Sequence, residues 1–112
     1  MNLKKMTIQY QKVCAKAVKE AISRVVSQYD VATLVEQGFN VATYLYEGTD
    51  FRICVEVGKD NDWDMEQPDA DVAELNKALQ KAIDDLGWEI VLNAMFTEDI
   101  QSTSQIVFWE LA

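Results

Sequence analysis

Residues 39–57 read Phe39-Asn40-Val41-Ala42-Thr43-Tyr44-Leu45-Tyr46-Glu47-Gly48-Thr49-Asp50-Phe51-Arg52-Ile53-Cys54-Val55-Glu56-Val57. The first nine are rich in β-branched and aromatic residues, which fit the pleated, half-buried surface of a strand. The last seven alternate, with Phe51, Ile53, Val55 and Val57 on one side and Arg52, Cys54 and Glu56 on the other. A period of two is that of a strand with one buried face. Gly48-Thr49-Asp50 supplies the turn between them, so the stretch reads as a β-hairpin.

Upstream, residues 7–29 place Tyr10, Cys14, Ala17, Val18, Ala21, Ile22, Val25 and Tyr29 at three- and four-residue spacing. That spacing predicts an amphipathic helix packed on the sheet, with Lys12, Lys16, Lys19, Ser23 and Ser27 facing water. Asp30 is placed to cap a short second helix over 31–37, and Gly38 to end it. Downstream, 58–70 reads as a loop that contains Pro68. Asp71-Val72-Ala73-Glu74 then reads as a capping box. It opens a third helix whose buried stripe is Val72, Leu75, Leu79, Ala82, Ile83 and Leu86, with Gly87 as its stop. Residues 88–96 and 104–111 read as two more strands, joined by a loop around Thr97-Glu98-Asp99.

The predicted order is α(α)ββαββ in a single domain over 1–112. The fold class is α+β, a two-layer sandwich: a four-stranded antiparallel sheet with two main helices on one face. This order resembles a ferredoxin-like chain, circularly permuted so that its first strand comes last. Such a permutation places the final strand inside the sheet. Its sequence agrees, because Ile106 and Phe108 point one way and Val107, Trp109 and Leu111 the other, leaving both sides apolar. Helices on one face leave the other open, so one apolar set of this strand, with Tyr44 and Tyr46, forms a patch expected to be an interface. A homodimer is one arrangement that would cover it.

Of the 112 residues 49% are hydrophobic, enough for a core and against disorder of the whole chain. No apolar run approaches the ~20 residues of a membrane helix, and Met1-Asn2-Leu3-Lys4-Lys5-Met6 lacks the apolar stretch of a signal peptide. A cytoplasmic protein away from membranes is expected. Cys14 and Cys54 have no metal-binding spacing and read as two buried thiols. The net charge of −9 is unevenly spread. Residues 1–30 hold six basic and two acidic residues, net +4, whereas 31–112 hold four basic and seventeen acidic, net −13. Such a surface disfavours direct contact with nucleic acid and favours basic protein surfaces.

The acids are densest over residues 56–74: Glu56, Asp60, Asp62, Asp64, Glu66, Asp69, Asp71 and Glu74 against Lys59 alone, net −7, around Trp63. Asp60-Asn61-Asp62-Trp63-Asp64 alternates oxygen ligands as a calcium loop does, but Met65 stands where an EF-hand turn requires glycine, and no helix precedes it. Asp50, Glu56 and Lys59 have the residue types of a metal-dependent nuclease. The lysine, however, follows Gly58 and cannot project with Glu56 from one strand face. The chain has no histidine, the commonest base for a serine or cysteine nucleophile, and no glycine-rich phosphate loop. No catalysis, metal or cofactor is therefore expected.

The expected site is a binding site made of Asp60, Asp62, Trp63, Asp64, Glu66, Asp69 and Asp71. Trp63 offers a π face to a cation while the neighbouring carboxylates take its charge. In charge and size alone the chain resembles immunity proteins of bacterial toxins and phage-encoded anti-defence proteins. The expected function is that of an acidic binding protein that inhibits a basic, nucleic-acid-handling protein. The alternative is a homo-oligomeric structural or assembly protein that associates through the open sheet face.

Overall fold

The computed structural model describes residues 3–47, 51–58, 70–97 and 106–111. Helix α1 runs over Leu3–Val26, and the short α2 over Ala32–Glu36. Strands β1, Asn40–Glu47, and β2, Phe51–Gly58, follow; then come helices α3, Ala70–Leu86, and α4, Trp88–Thr97, and strand β3, Ile106–Trp109. The sheet has three strands in the order β2-β1-β3, and both pairings are antiparallel. The architecture is α+β, as the hairpin and the helical periods predict.

Two expectations are overturned together. The stretch 88–96 is a helix, not a strand, so the sheet has three described strands where four were expected, and the permuted ferredoxin-like order is not formed. Among the described residues no fourth strand lies beside β3, so it stands at an edge and β1 takes the centre. The physical reason is legible in Trp88-Glu89-Ile90-Val91-Leu92-Asn93-Ala94-Met95-Phe96. It is apolar on almost every side, and an all-round apolar run carries no period that separates strand from helix. The helix wins by burying Val91, Ala94 and Met95, which share one face at three- and four-residue spacing.

Gly87 makes the junction with α3 possible. Its φ is +93°, a left-handed conformation that glycine adopts without steric cost. Its N–H donates to the Asp84 carbonyl at 3.1 Å, and its carbonyl accepts from the Val91 N–H at 3.2 Å. One residue thus ends α3 and starts α4.

α1 buries Cys14, Ala15, Val18, Ile22 and Val26, close to the predicted face. Tyr10 is exposed, and Ala17 and Ala21 are half-buried, so the centre of the stripe runs through Val18 and Ile22. α1 packs most extensively on α4 and also on α3, while α3 covers β2. The cap expected of Asp30 is not formed: Val31 holds the N-cap position of α2 without a side-chain cap bond, and Asp30, one residue earlier, accepts from the Ala32 N–H at 3.2 Å. At the other end of α2 the Phe39 N–H reaches the Leu34 carbonyl and the Gly38 N–H the Val35 carbonyl, with Gly38 at φ +88°. This is the paired closure of a Schellman motif. α3 begins one residue before the predicted cap, within the ordinary spread of helix ends.

The core is one cluster, centred on Val18, Val41, Val57, Leu75, Leu79, Ile83, Val91 and Val107. Among the described residues its one buried polar side chain is that of Thr43. The Trp109 indole N–H donates to Thr43 Oγ1 at 2.8 Å, and the Thr43 hydroxyl donates on to the Val107 carbonyl at 3.4 Å. Both buried donors are therefore satisfied, which avoids a desolvation cost of about 1–3 kcal/mol for each.

Candidate functional site

Three surfaces compete for the role of a binding site. The first is the acidic segment. Asp60, Asp62, Trp63, Asp64, Glu66 and Asp69 lie outside the described residues. Asp71 falls in the first turn of α3. The hairpin turn at 48–50, Tyr46 as a side chain and Glu98-Asp99 are likewise outside the described part, whereas Thr97 is the last residue of α4.

The second is the sheet face turned away from the core. Strand alternation and register fix its composition. Ala42 stands between Phe108 and Glu56, and Tyr44 between Ile106 and Cys54, with Arg52 further along β2. Val107 and Trp109 point inward and are buried, whereas Ile106 and Phe108 are half-buried. The Tyr44 hydroxyl donates to Glu56 Oε1 at 3.3 Å. Because Glu56 is opposite Ala42, that diagonal bond leans the ring along the strand towards Ala42, which is fully buried. Burial, followed by the negative charge of Glu56, pushes the Tyr44 hydroxyl pKa up to about 12. The face is apolar, but much of it is already covered by its own side chains.

The third surface escapes the sequence reading. Trp88 is 61% and Phe96 60% exposed on α4, and Leu92 between them is half-buried. Spacings of four put all three on one stripe of the helix. Asp84, Asp85 and Glu89 are exposed around its beginning. From residue 82 to 112 the chain has six acids and no lysine or arginine. The signal was present in the i, i+4, i+8 recurrence of Trp88, Leu92 and Phe96, but it has meaning only on a helix. On the neighbouring α1, Val13 is 66% exposed between Lys12 and Lys16. Tyr10, also on α1, is exposed. Its hydroxyl pKa is raised, chiefly by a hydrogen bond with Cys14 and in smaller part by the charge of Glu89 on α4.

Beside these surfaces, a groove of about 750 Å³ runs between the second half of α1 and β3. Its walls include Ile22, Val26, Tyr29 and Leu111, with Lys19 and Glu110 as its charged residues. Cys14 is buried and Cys54 half-buried, both as free thiols. Among the described residues no three Cys, Asp or Glu side chains converge on a position for a metal ion, and no helix is long and apolar enough to cross a membrane.

Compared with protein-family models, curated proteins and solved structures, the chain matches none of them.

Proposed function

We propose that this chain is a small, non-enzymatic binding protein that neutralises a basic, nucleic-acid-handling protein, in the manner of an immunity or anti-defence factor acting in the cytoplasm. The observation that carries the reading is the charge distribution: net −13 over residues 31–112, with −7 concentrated in 56–74 around Trp63. A surface of that sign accelerates encounter with a basic partner and excludes nucleic acid from the same site. Asp60, Asp62, Trp63, Asp64, Glu66, Asp69 and Asp71 form the contact in this reading, with the tryptophan as anchor.

The test begins with a pull-down from the native host and identification of the bound protein. Binding of that protein is then measured at two ionic strengths. Trp63→Ala is expected to cost about 2 kcal/mol of affinity. Neutralising Asp60, Asp62 and Asp64 together is expected to slow association and flatten its dependence on salt. Unchanged affinity and salt response in both variants would end this reading.

A second reading, self-association through the outer sheet face, is favoured by the half-buried Ile106 and Phe108. A monomer at tens of micromolar would remove it.

A further inference from the structure

We propose that copies of this chain associate through the helical layer, with the outward stripe of α4 in one copy seated against the outward side of α1 in another. The inference takes up the self-association of the second reading and places it on a different surface.

α4 already buries Val91, Ala94 and Met95, which hold it to the core. Trp88 and Phe96 nevertheless stay more than half exposed. Single exposed apolar residues are ordinary, but two large aromatic rings in register on one helix are the anchors expected of helix packing against a partner. The surroundings fix the partner's chemistry. Asp84, Asp85 and Glu89 are exposed beside the stripe, and no basic residue follows Lys81. The counterpart must be apolar and basic.

The chain itself carries such a surface. α1 exposes Lys12 and Lys16 with Val13 between them, and residues 1–30 are the positive part of the molecule. The exposed bases of α3, Lys77 and Lys81, do not serve as well. They lie between Glu74 and the pair Asp84 and Asp85, and no large apolar side chain is exposed among them. Acidic and apolar therefore meets basic and apolar in a contact between unlike faces of two identical chains.

A contact between unlike faces can be tested by complementation. One full-length variant carries Lys12→Glu with Lys16→Glu, which makes α1 acidic. The other carries Asp85→Lys with Glu89→Lys, which makes the α3–α4 junction beside Trp88 basic. In either variant alone the two faces have the same sign. In a mixture each face of one variant meets its opposite on the other. Sedimentation equilibrium from about 1 to about 300 µM reads the association. The native chain is expected to associate, and more weakly as salt rises from about 0.05 to about 0.5 M. Each variant is expected to weaken association at least tenfold, and an equimolar mixture to restore it. Trp88→Ser with Phe96→Ser is expected to abolish association, with the melting temperature unchanged at a concentration low enough for both chains to be monomeric. Circular dichroism confirms that every variant is folded.

A native chain that remains monomeric throughout overturns the proposal together with the second reading. Association that survives in each charge variant overturns it, as does a mixture that stays dissociated. Phe108→Ser separates the two surfaces. If that variant alone dissociates, the sheet face is the interface and the helical contact is refuted.

Discussion

α3 and α4 are consecutive helices joined by one residue, yet they spend their side chains differently. α3 buries Val72, Leu75, Leu79 and Ile83 on one side and keeps the other polar. Even its polar flank is used. Gln80 accepts from the Val55 N–H and donates to the Ile53 carbonyl, both at 3.0 Å, and Asn76 accepts from the Val57 N–H at 2.9 Å. The two amides stand four residues apart on the helix and occupy the backbone edge of β2 where another strand could add. α4 buries Val91, Ala94 and Met95 and turns Trp88 and Phe96 outward. One helix seals the domain; the other leaves apolar surface on display.

The contrast can be broken most severely at α3. Leu79→Ala removes a fully buried side chain and is expected to cost about 2–5 kcal/mol in denaturant unfolding. Phe96→Ala, a larger truncation on α4, is expected to change stability by less than about 0.5 kcal/mol, because its ring is mostly in water. Equal losses in the two variants would show that α4's stripe belongs to the core.

Next in size is the seal on β2. Gln80→Ala leaves the Val55 N–H and the Ile53 carbonyl without their partner, and a loss of about 1–3 kcal/mol is expected. Hydrogen exchange at Val55 should accelerate while Val41, at the centre of the sheet, stays protected. Uniform acceleration across the sheet would mean that Gln80 acts on global stability and not on the edge.

The junction between the helices gives a smaller effect. A β-carbon at Gly87 meets no neighbour within 4 Å, so Gly87→Ala tests conformation and not packing. At φ +93° the alanine is expected to cost about 1–2 kcal/mol. A neutral result would mean that the α3–α4 link can be made with other dihedrals.

The sheet face supplies the smallest. The Tyr44 pKa lies above its unfolded value, so the folded state holds the proton more tightly than the unfolded chain does. This contribution is complete below pH 10 and is lost as pH rises through about 12. Tyr44→Phe should flatten stability against pH in that window; an unaltered slope would show that the ring is freely solvated.

These differences also explain what the sequence could disclose. The hairpin, α1 and α3 were legible because each has one apolar side, and one-sided burial writes its period into the chain. Residues 88–96 were not, because α4 has apolar residues towards the core and towards water, and two superposed stripes erase the period. The same error hid Trp88 and Phe96 as candidates and moved β3 from the edge to the centre of the expected sheet. Asp60, Asp62, Trp63 and Asp64 stood out for charge density, a property of composition that needs no fold to be seen. Gln80 and Asn76 offered no comparable signal, since a polar residue on a helix reads as solvent-facing until the strand beside it is known.

The tie between Thr43 and Trp109 has a kinetic side. β1 and β2 are neighbours in sequence and can close as a hairpin on a microsecond scale. The indole–hydroxyl bond joins positions 66 residues apart, and the Thr43–Val107 bond 64. Those contacts must await closure of most of the chain, whose entropy is lost before they form. The hairpin is therefore expected to close before β3 joins it, with one side of β1 unsatisfied in the interval. Synthesis from the N-terminus stretches that interval, because the ribosome must finish residues 106–109 before the central strand gains its second neighbour.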